Sequence, residues 1–414
     1  MKKQITNLSI ILIILSLLFL GYKVIFNKNN TIGNIGEKNN TAVPEIQIKP
    51  VELPSPSGNI GEKNDTVIPN NQIKSVKLLS PSGNIGEKND TVIPKIQIKS
   101  VELLSPSGNL KMSMMPFVYN SLYRINDISD PKHAIKVLKN FPYLVCAEPG
   151  HLSKKEIKVA EAIKKEVRIF GYVHMGGSPL PSLADIKNEI DNIQRQGWYG
   201  VFIDQFGYDF GETRQRQNSI VDYAHSKGLK CFVNCWHIDD AFGNKPDSKH
   251  NPDGLPTRLS EGDWYLLESY YVSNSGYNES INILIEKSQK ARNYKKALNI
   301  NIASLSYKRD SATWDNSSTD IKYSYLLSLL MGFDGWWFTD RLESDSFKHG
   351  KPVDLDLGNT LVEGLSKFSE EYFLAKTDKY LILLDTKDYP ALSIEAFELN
   401  SEAGLQDYIK RKVK

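Results

Sequence analysis

From Phe117 onward, short apolar runs return about every thirty residues. They read "FVYN" at Phe117, "YLVCAE" at Tyr143, "RIFGYVH" at Arg168, "GVFIDQF" at Gly200, "KCFVNCW" at Lys230, "WYLLESY" at Trp264, "ALNINIA" at Ala297 and "GWWFTD" at Gly335. Amphipathic stretches such as "PKHAIKVLKN", "KKEIKVAEAIKKE" and "LADIKNEIDNIQRQG" lie between them. A strand that is apolar on both faces needs cover on both faces, and alternating β and α segments supply that cover to a parallel sheet. Eight such units in about 225 residues are enough to close a (β/α)8 TIM barrel. The chain is therefore read as an α/β protein with its barrel over residues 113–376. A doubly wound open sheet is the alternative, but it would carry a glycine-rich phosphate loop after an early strand. The sequence has none there.

In such a barrel the reactive residues sit where strands end and βα loops begin. The ends of the runs give Asn120, Glu148, His174, Asp204 with Gln205, Asn234 with Trp236 and His237, Glu268, Asn301 and Asp340, and most of these, with Tyr119, are the candidate sugar-binding positions beside the two acids. The stretch "GVFIDQFGYDFG" is the most pointed of these. It drives Asp204 against three apolar residues and then sets Tyr208 and Asp209 in a glycine-flanked loop. An isolated carboxylate in that position costs several kcal/mol unless it is paired or protonated. Asp204 ends the fourth run and Glu268 lies near the end of the sixth, so the two carboxyl groups are expected to face each other across the barrel mouth. Glycoside hydrolysis uses such a pair, about 5 Å apart for retention and farther apart for inversion. One carboxyl group stays ionised while the other holds a proton, a split that burial and mutual repulsion create. Aromatic residues around them, Tyr119, Tyr172, Tyr208, Trp236, Tyr270, Tyr271 and Trp337, suit stacking on sugar faces.

The segment "GVFIDQFGYDFGETRQRQNSIVDYAHSKGLKCFVNCWHIDDAFG" resembles the central motif of the glycoside hydrolase family 114-like barrels, whose named activity is endo-α-1,4-polygalactosaminidase. The resemblance extends over about Pro116 to Lys376 and is most specific in the D-x-F-G-[YF]-D-[FY] segment, the R-x-R-Q helix and the N-x-W strand end. It implies an endo-acting hydrolase with Asp204 and Glu268 as its paired acids. By analogy with α-retaining barrels, Asp204 would be the nucleophile and Glu268 the acid/base, acting on a polysaccharide that is α-1,4-linked and contains galactosamine. A non-catalytic carbohydrate-binding surface protein on the same barrel is the alternative.

The segment before the barrel has a different character. Ile5 to Phe26 holds an almost unbroken apolar run, Ile10 to Leu20 interrupted only by Ser16, and is about as long as the ~20 residues a membrane helix needs, so residues 1–28 are read as an uncleaved anchor in the lipid bilayer. The barrel would then lie outside the cell on a single-pass protein. A cleaved signal peptide is the alternative. Residues 29–112 repeat with a period of 25, beginning at Gly33, Gly58 and Gly83. With few large apolar residues they read as an extended stalk, or alternatively as a small β-array. Asn39, Asn64 and Asn89 each open an N-x-T sequon in that repeat.

The 51 Lys+Arg nearly balance 49 Asp+Glu, so net charge points to no nucleic-acid partner. Cys146, Cys231 and Cys235 fall inside apolar runs without zinc-type spacing and read as buried core residues. No cofactor or metal is expected, since His237, Asp239 and Asp240 read as a solvated turn or cap rather than a ligand set. Arg214 and Arg216 are expected to pair with Asp209 or Glu212. The barrel is expected to be monomeric, and residues 377–414 read as either a short appended β-unit or a terminal extension packing under the barrel.

Overall fold

The computed structural model describes residues 110, 112–119, 121–273, 275–277, 280–307, 319–339 and 357–399. The anchor Ile5 to Phe26, the repeats with their sequons, Asn120 and Asp340 lie outside the described residues. Among the described residues, no helix is long and apolar enough to cross a membrane.

The chain order is β1 (Ser113–Met114), β2 (Phe117–Val118), a small hairpin of β3 (Arg124–Ile125) and β4 (Ile128–Ser129), and α1 (Pro131–Leu138). Then follow β5 (Tyr143–Cys146), α2 (Lys154–Ile163), β6 (Arg168–His174), α3 (Leu183–Arg195), β7 (Gly200–Asp204), α4 (Arg214–Ser226), β8 (Lys230–Asn234), the short α5 (Ile238–Phe242) and β9 (Trp264–Glu268). A two-stranded ribbon, β10 (Val272–Ser273) and β11 (Gly276–Tyr277), precedes α6 (Ile281–Leu298), β12 (Asn301–Tyr307), α7 (Thr319–Leu330) and β13 (Gly335–Thr339). Four antiparallel strands end the described chain: β14 (Leu361–Lys367), β15 (Tyr372–Thr377), β16 (Tyr380–Asp385) and β17 (Ser393–Glu398).

The main sheet is parallel, in the order β1-β13-β12-β9-β8-β7-β6-β5-β2. Its two outermost members are separated in the chain only by Met115 and Pro116. The Met115 amide still donates to Trp336 (3.1 Å), while the Pro116 carbonyl already accepts from Val145 (2.8 Å). One segment therefore pairs with the last strand through its first half and with the next strand through its second. The sheet curls until its ends meet in that segment, an arrangement consistent with a (β/α)8 barrel. Phe117 makes the curvature plain. Its ring lies 5.6 Å from Phe202 and 6.0 Å from Phe232, residues of strands three and four places away in the sheet, so the contacts cross the interior.

Because side chains alternate along a strand, each inward aromatic fixes the residue two places on. Phe117 directs Tyr119 inward, Phe170 directs Tyr172 and His174, Phe202 directs Asp204, Phe232 directs Asn234, and Trp264 directs Leu266 and Glu268. A packed aromatic core thus becomes a polar mouth within one residue pair. The other face of the sheet meets the helices. At Gly171 a Cβ would come within 2.7 Å of Ile193 on α3, so the helix can lie that close only to a glycine. Helix starts follow local chemistry. Ser153 and Glu156 form a reciprocal capping box ahead of α2, and Gly197, just past α3, takes the left-handed φ of +66° that a helix end favours.

The seventh strand departs from its expected start at Ala297. Ala297 and Leu298 are the last residues of α6, Asn299 closes that helix at φ +54°, and β12 begins only at Asn301. Asn301 therefore opens its strand, at the rim opposite Asp204 and Glu268, and Tyr307 closes it. Of the two readings for the segment from residue 377, the appended β-unit matches the four-stranded sheet, but that sheet already begins at Leu361, inside the expected barrel boundary. That sheet reaches the barrel through Gln289, which donates to Leu365 O (3.3 Å), and Tyr271, which donates to Pro390 O (2.8 Å).

Candidate active site

β7, β8 and β9 are neighbours in the sheet, and Asp204, Asn234 and Glu268 are their final residues. Asn234 stands between the two acids. Its Nδ2 donates to Asp204 Oδ1 at 2.8 Å and to Glu268 Oε2 at 2.7 Å. Both acceptors lie on one nitrogen, so the two oxygens are at most about 5.5 Å apart, the sum of those lengths. Carboxylates only accept hydrogen bonds when ionised, which orients the amide with its nitrogen toward them.

Asp204 accepts the more hydrogen bonds of the two. Besides Asn234, Oδ1 accepts from the backbone N–H of Gln205 (2.9 Å), and Oδ2 accepts from the Tyr172 hydroxyl (2.7 Å). Glu268 has a different environment. Burial, and next the nearby charge of Asp204, push its pKa up to about 7, against a smaller opposing effect of the Asn234 hydrogen bond. Tyr307, at the end of β12, lies against Glu268 and shares a 2.9 Å hydrogen bond with Ser269. Burial and the Glu268 charge push the Tyr307 phenol up to about 12. Tyr119 and Tyr172 meet edge to face at 5.6 Å. Burial, then Asp204, raises both phenols. Tyr172 of β6, Tyr307 of β12 and Tyr119 just after β2 thus wall the acids and remain neutral hydrogen-bonding groups.

His174 is the register partner of Asp204 on the adjoining strand. Its Nε2 and the Gln205 Oε1 lie 3.4 and 3.5 Å from where a Cβ on Gly177 would be, so the two side chains flank one small space beside that glycine. Trp236, two residues beyond Asn234, is 46% exposed, an unusual state for an indole in a βα loop. Tyr208 stacks on His250 with ring centres 5.0 Å apart, and its amide donates to Asp240 Oδ2 (3.0 Å). Asp209 and Asp240 share that loop cluster with His237, and burial raises both carboxyl groups. Glu148 ends up beside His151 (3.0 Å) and near Glu189 of α3, whose pKa burial, then Glu148 and Asp185, push up to about 7. Tyr270 is placed elsewhere: only 2% exposed, it joins its hydroxyl to Ser288 on α6 (3.2 Å).

The expected arginine pairings are realised in part. Arg216 pairs with the buried Glu212 (3.0 Å). Arg214, fully buried, binds carbonyls, Ala241 O and Gly243 O at 2.7 Å each, and so holds the end of α5. Asp239 is engaged by Lys290 and by the Tyr294 hydroxyl. Among the described residues, His225, Cys231 and Asp263 are grouped closely enough to share an ion, but Asp263 is already occupied. It accepts from the amides of Cys231 (2.9 Å) and Ser260 (2.8 Å) and contacts His225 Nε2 (2.9 Å). That knot lies where β8 begins, on the rim away from the acids.

Tyr307 belongs to the site without having been expected there, and Tyr172, expected as a stacking aromatic, instead turns its hydroxyl to Asp204. Tyr172 follows from the two-residue period that makes His174 inward, and Tyr307 from the true end of "NIASLSY".

No protein-family model matches the chain, and no curated protein matches it. Among solved structures it is similar to the glycoside hydrolase domain of PelA from Pseudomonas aeruginosa, at 16% identity and a TM-score of 0.38, over 57% of this chain and 100% of that one. A variant of the same domain gives 15% identity and a TM-score of 0.39 with the same coverage. N-acetylneuraminate lyase from Fusobacterium nucleatum is similar at 11% identity and a TM-score of 0.30, over 56% of this chain and 71% of that one.

Proposed function

We propose that this protein is a glycoside hydrolase that cleaves a polysaccharide by retention, with Asp204 as nucleophile and Glu268 as acid/base. The observation that carries this reading is the shared amide of Asn234. It holds the two carboxyl groups side by side, their bridged oxygens within about 5.5 Å of each other, which favours the close spacing of about 5 Å that a retaining pair uses over the wider inverting one. The unequal surroundings support the roles. Asp204 has three donors turned toward its charge, and Glu268 holds a proton up to about pH 7.

In the first step an Asp204 oxygen forms a bond to the anomeric carbon as the bond to the leaving oxygen breaks, and that oxygen takes the Glu268 proton. In the second, a water gives a proton to Glu268 while its oxygen displaces Asp204, restoring both groups. The exposed indole of Trp236 offers a platform for a neighbouring sugar. The substrate we propose is an α-1,4-linked, galactosamine-containing polymer cut internally. The protein is proposed to be held at the cell membrane by Ile5 to Phe26 with the barrel outside.

A reducing-end assay on a panel of amino-sugar polymers and bacterial and archaeal wall glycans tests this, with Asp204→Asn as control. New reducing ends from the wild type alone are expected. Equal release by Asp204→Asn would overturn the assignment.

A further inference from the structure

Asn234 stood among the candidate sugar-binding residues, but its geometry gives it another task. An amide nitrogen has two N–H bonds, and both are committed, one to each acid. On Asp204, Oδ1 accepts from both Asn234 and the Gln205 amide, whereas Oδ2 has, among the described residues, the one donor Tyr172. On Glu268, Oε2 receives Asn234. A protonated carboxyl group accepts best at its carbonyl oxygen and donates from its hydroxyl oxygen. The hydroxyl proton is therefore directed to the oxygen that Asn234 leaves alone.

We infer that Asn234 is a positioning residue that assigns the reacting oxygens of both acids: it keeps Glu268 Oε2 as carbonyl and leaves Oε1 to carry the transferable proton, and it occupies Asp204 Oδ1 so that Oδ2 attacks. This rests on the hydrolase reading for what those oxygens then do. The bonds exchanged are those already given: Oδ2 to the anomeric carbon formed, the glycosidic bond broken, and the Oε1 proton passed to the leaving oxygen. The same amide also relieves the repulsion between the two carboxyl groups, because a donor between two acceptors stabilises negative charge on either. The other groups facing Glu268 are Asp204 of β7, Tyr119 after β2, Tyr172 of β6, Tyr307 of β12 and Lys287 of α6.

The assignment can be tested without a substrate. Below neutral pH, the infrared difference between wild type and Glu268→Gln isolates the C=O stretch of protonated Glu268. With Oε2 accepting from Asn234, that stretch is expected at the lower frequency of a hydrogen-bonded carbonyl, and Asn234→Ala should move it up. In protein labelled with 13C at glutamate carboxyls, the Glu268 titration should midpoint near 7 in the wild type and rise by about one pH unit in Asn234→Ala. Asn234→Ser, with one donor in place of two, should fall between and covers the case in which the alanine variant does not fold. A stretch and midpoint unchanged in a folded variant would overturn the role of Asn234 and leave the hydrolase reading standing. Full glycan cleavage by Asp204→Asn and Glu268→Gln would remove that reading, whatever the spectra show.

Discussion

Gln205 and Ser269, the residues that directly follow Asp204 and Glu268, both take left-handed backbone, with φ of +56° and +55°. Neither is glycine, and a side chain in that region costs about 1–2 kcal/mol. The same strained step thus follows both acids, on strands separated only by β8. Each strand breaks off immediately after its carboxyl group. In β7 the turn also brings the Gln205 amide back onto the Asp204 oxygen (2.9 Å).

Asp204→Asn and Glu268→Gln should each lower turnover, the second by about 100- to 10,000-fold. The two should separate on an aryl glycoside whose leaving group departs without a proton. Glu268→Gln should recover bond cleavage there, and Asp204→Asn should not. Burst kinetics on that substrate measure the difference; equal recovery would contradict the division of roles.

Glu268 must be protonated to act as the acid, so kcat/KM should fall as pH rises through about 7. Glu189 is a second carboxyl group raised to about 7, on α3 beside Glu148 and within electrostatic reach of Tyr172. Glu189→Gln is therefore the control: it should leave the alkaline limb in place. A limb that disappears with Glu189 would assign the titration to the wrong group.

The same proton has a consequence for folding. Glu268 titrates near 7 when folded and ordinarily at 4.5, so the unfolded chain loses its proton first as pH climbs. Stability attributable to this group is complete below about 4.5, declines between the two values and is lost above about 7. Glu268→Gln should match the wild type in acid and exceed it at pH 8 by on the order of 3 kcal/mol. Urea denaturation at the two pH values provides the comparison, and a loss of stability at pH 8 would show that Glu268 is held as a structural ion.

Trp236→Ala should raise KM about threefold to tenfold and leave the melting temperature unchanged, since an indole 46% exposed contributes little to the core. A variant that melts early with its KM intact would place Trp236 in the packing instead.

Barrel closure predicts where the chain can be shortened. A chain beginning at Ser105 keeps the bonds from Leu110 to Asn359 (3.1 Å), Ser113 to Asp334 (2.8 Å) and Met115 to Trp336 (3.1 Å), and should unfold in one transition in urea. A chain beginning at Pro116 loses β1, leaves β13 as an open edge and should aggregate. A cooperative transition in the shorter chain would mean that β1 is dispensable.

Seven of the eight main strands begin where their apolar runs begin, because parallel strands covered on both faces leave a continuous signature. The exception is instructive. "ALNINIA" is unbroken in composition, yet its first two residues belong to the preceding helix. The stop signal is Asn299 at positive φ, where a glycine would have been legible. That displacement moved Asn301 to the far rim and concealed Tyr307. The two acids were readable from their placement against apolar runs. The bridge through Asn234 was not, because which side chains meet across neighbouring strands depends on register, and register is written in no single stretch of sequence.

The split segment at the start of the barrel also sets a schedule for its manufacture. β2 pairs with β5 soon after both are made, but β1 must wait for β13, about 220 residues later. At roughly 5–20 residues per second, that is an interval of about 10 to 40 seconds. Throughout it the first barrel residues to leave the ribosome have one half docked and the other without a mate. The oldest part of the barrel is thus the last to be finished, and whatever shelters the nascent chain must do so until its eighth strand arrives.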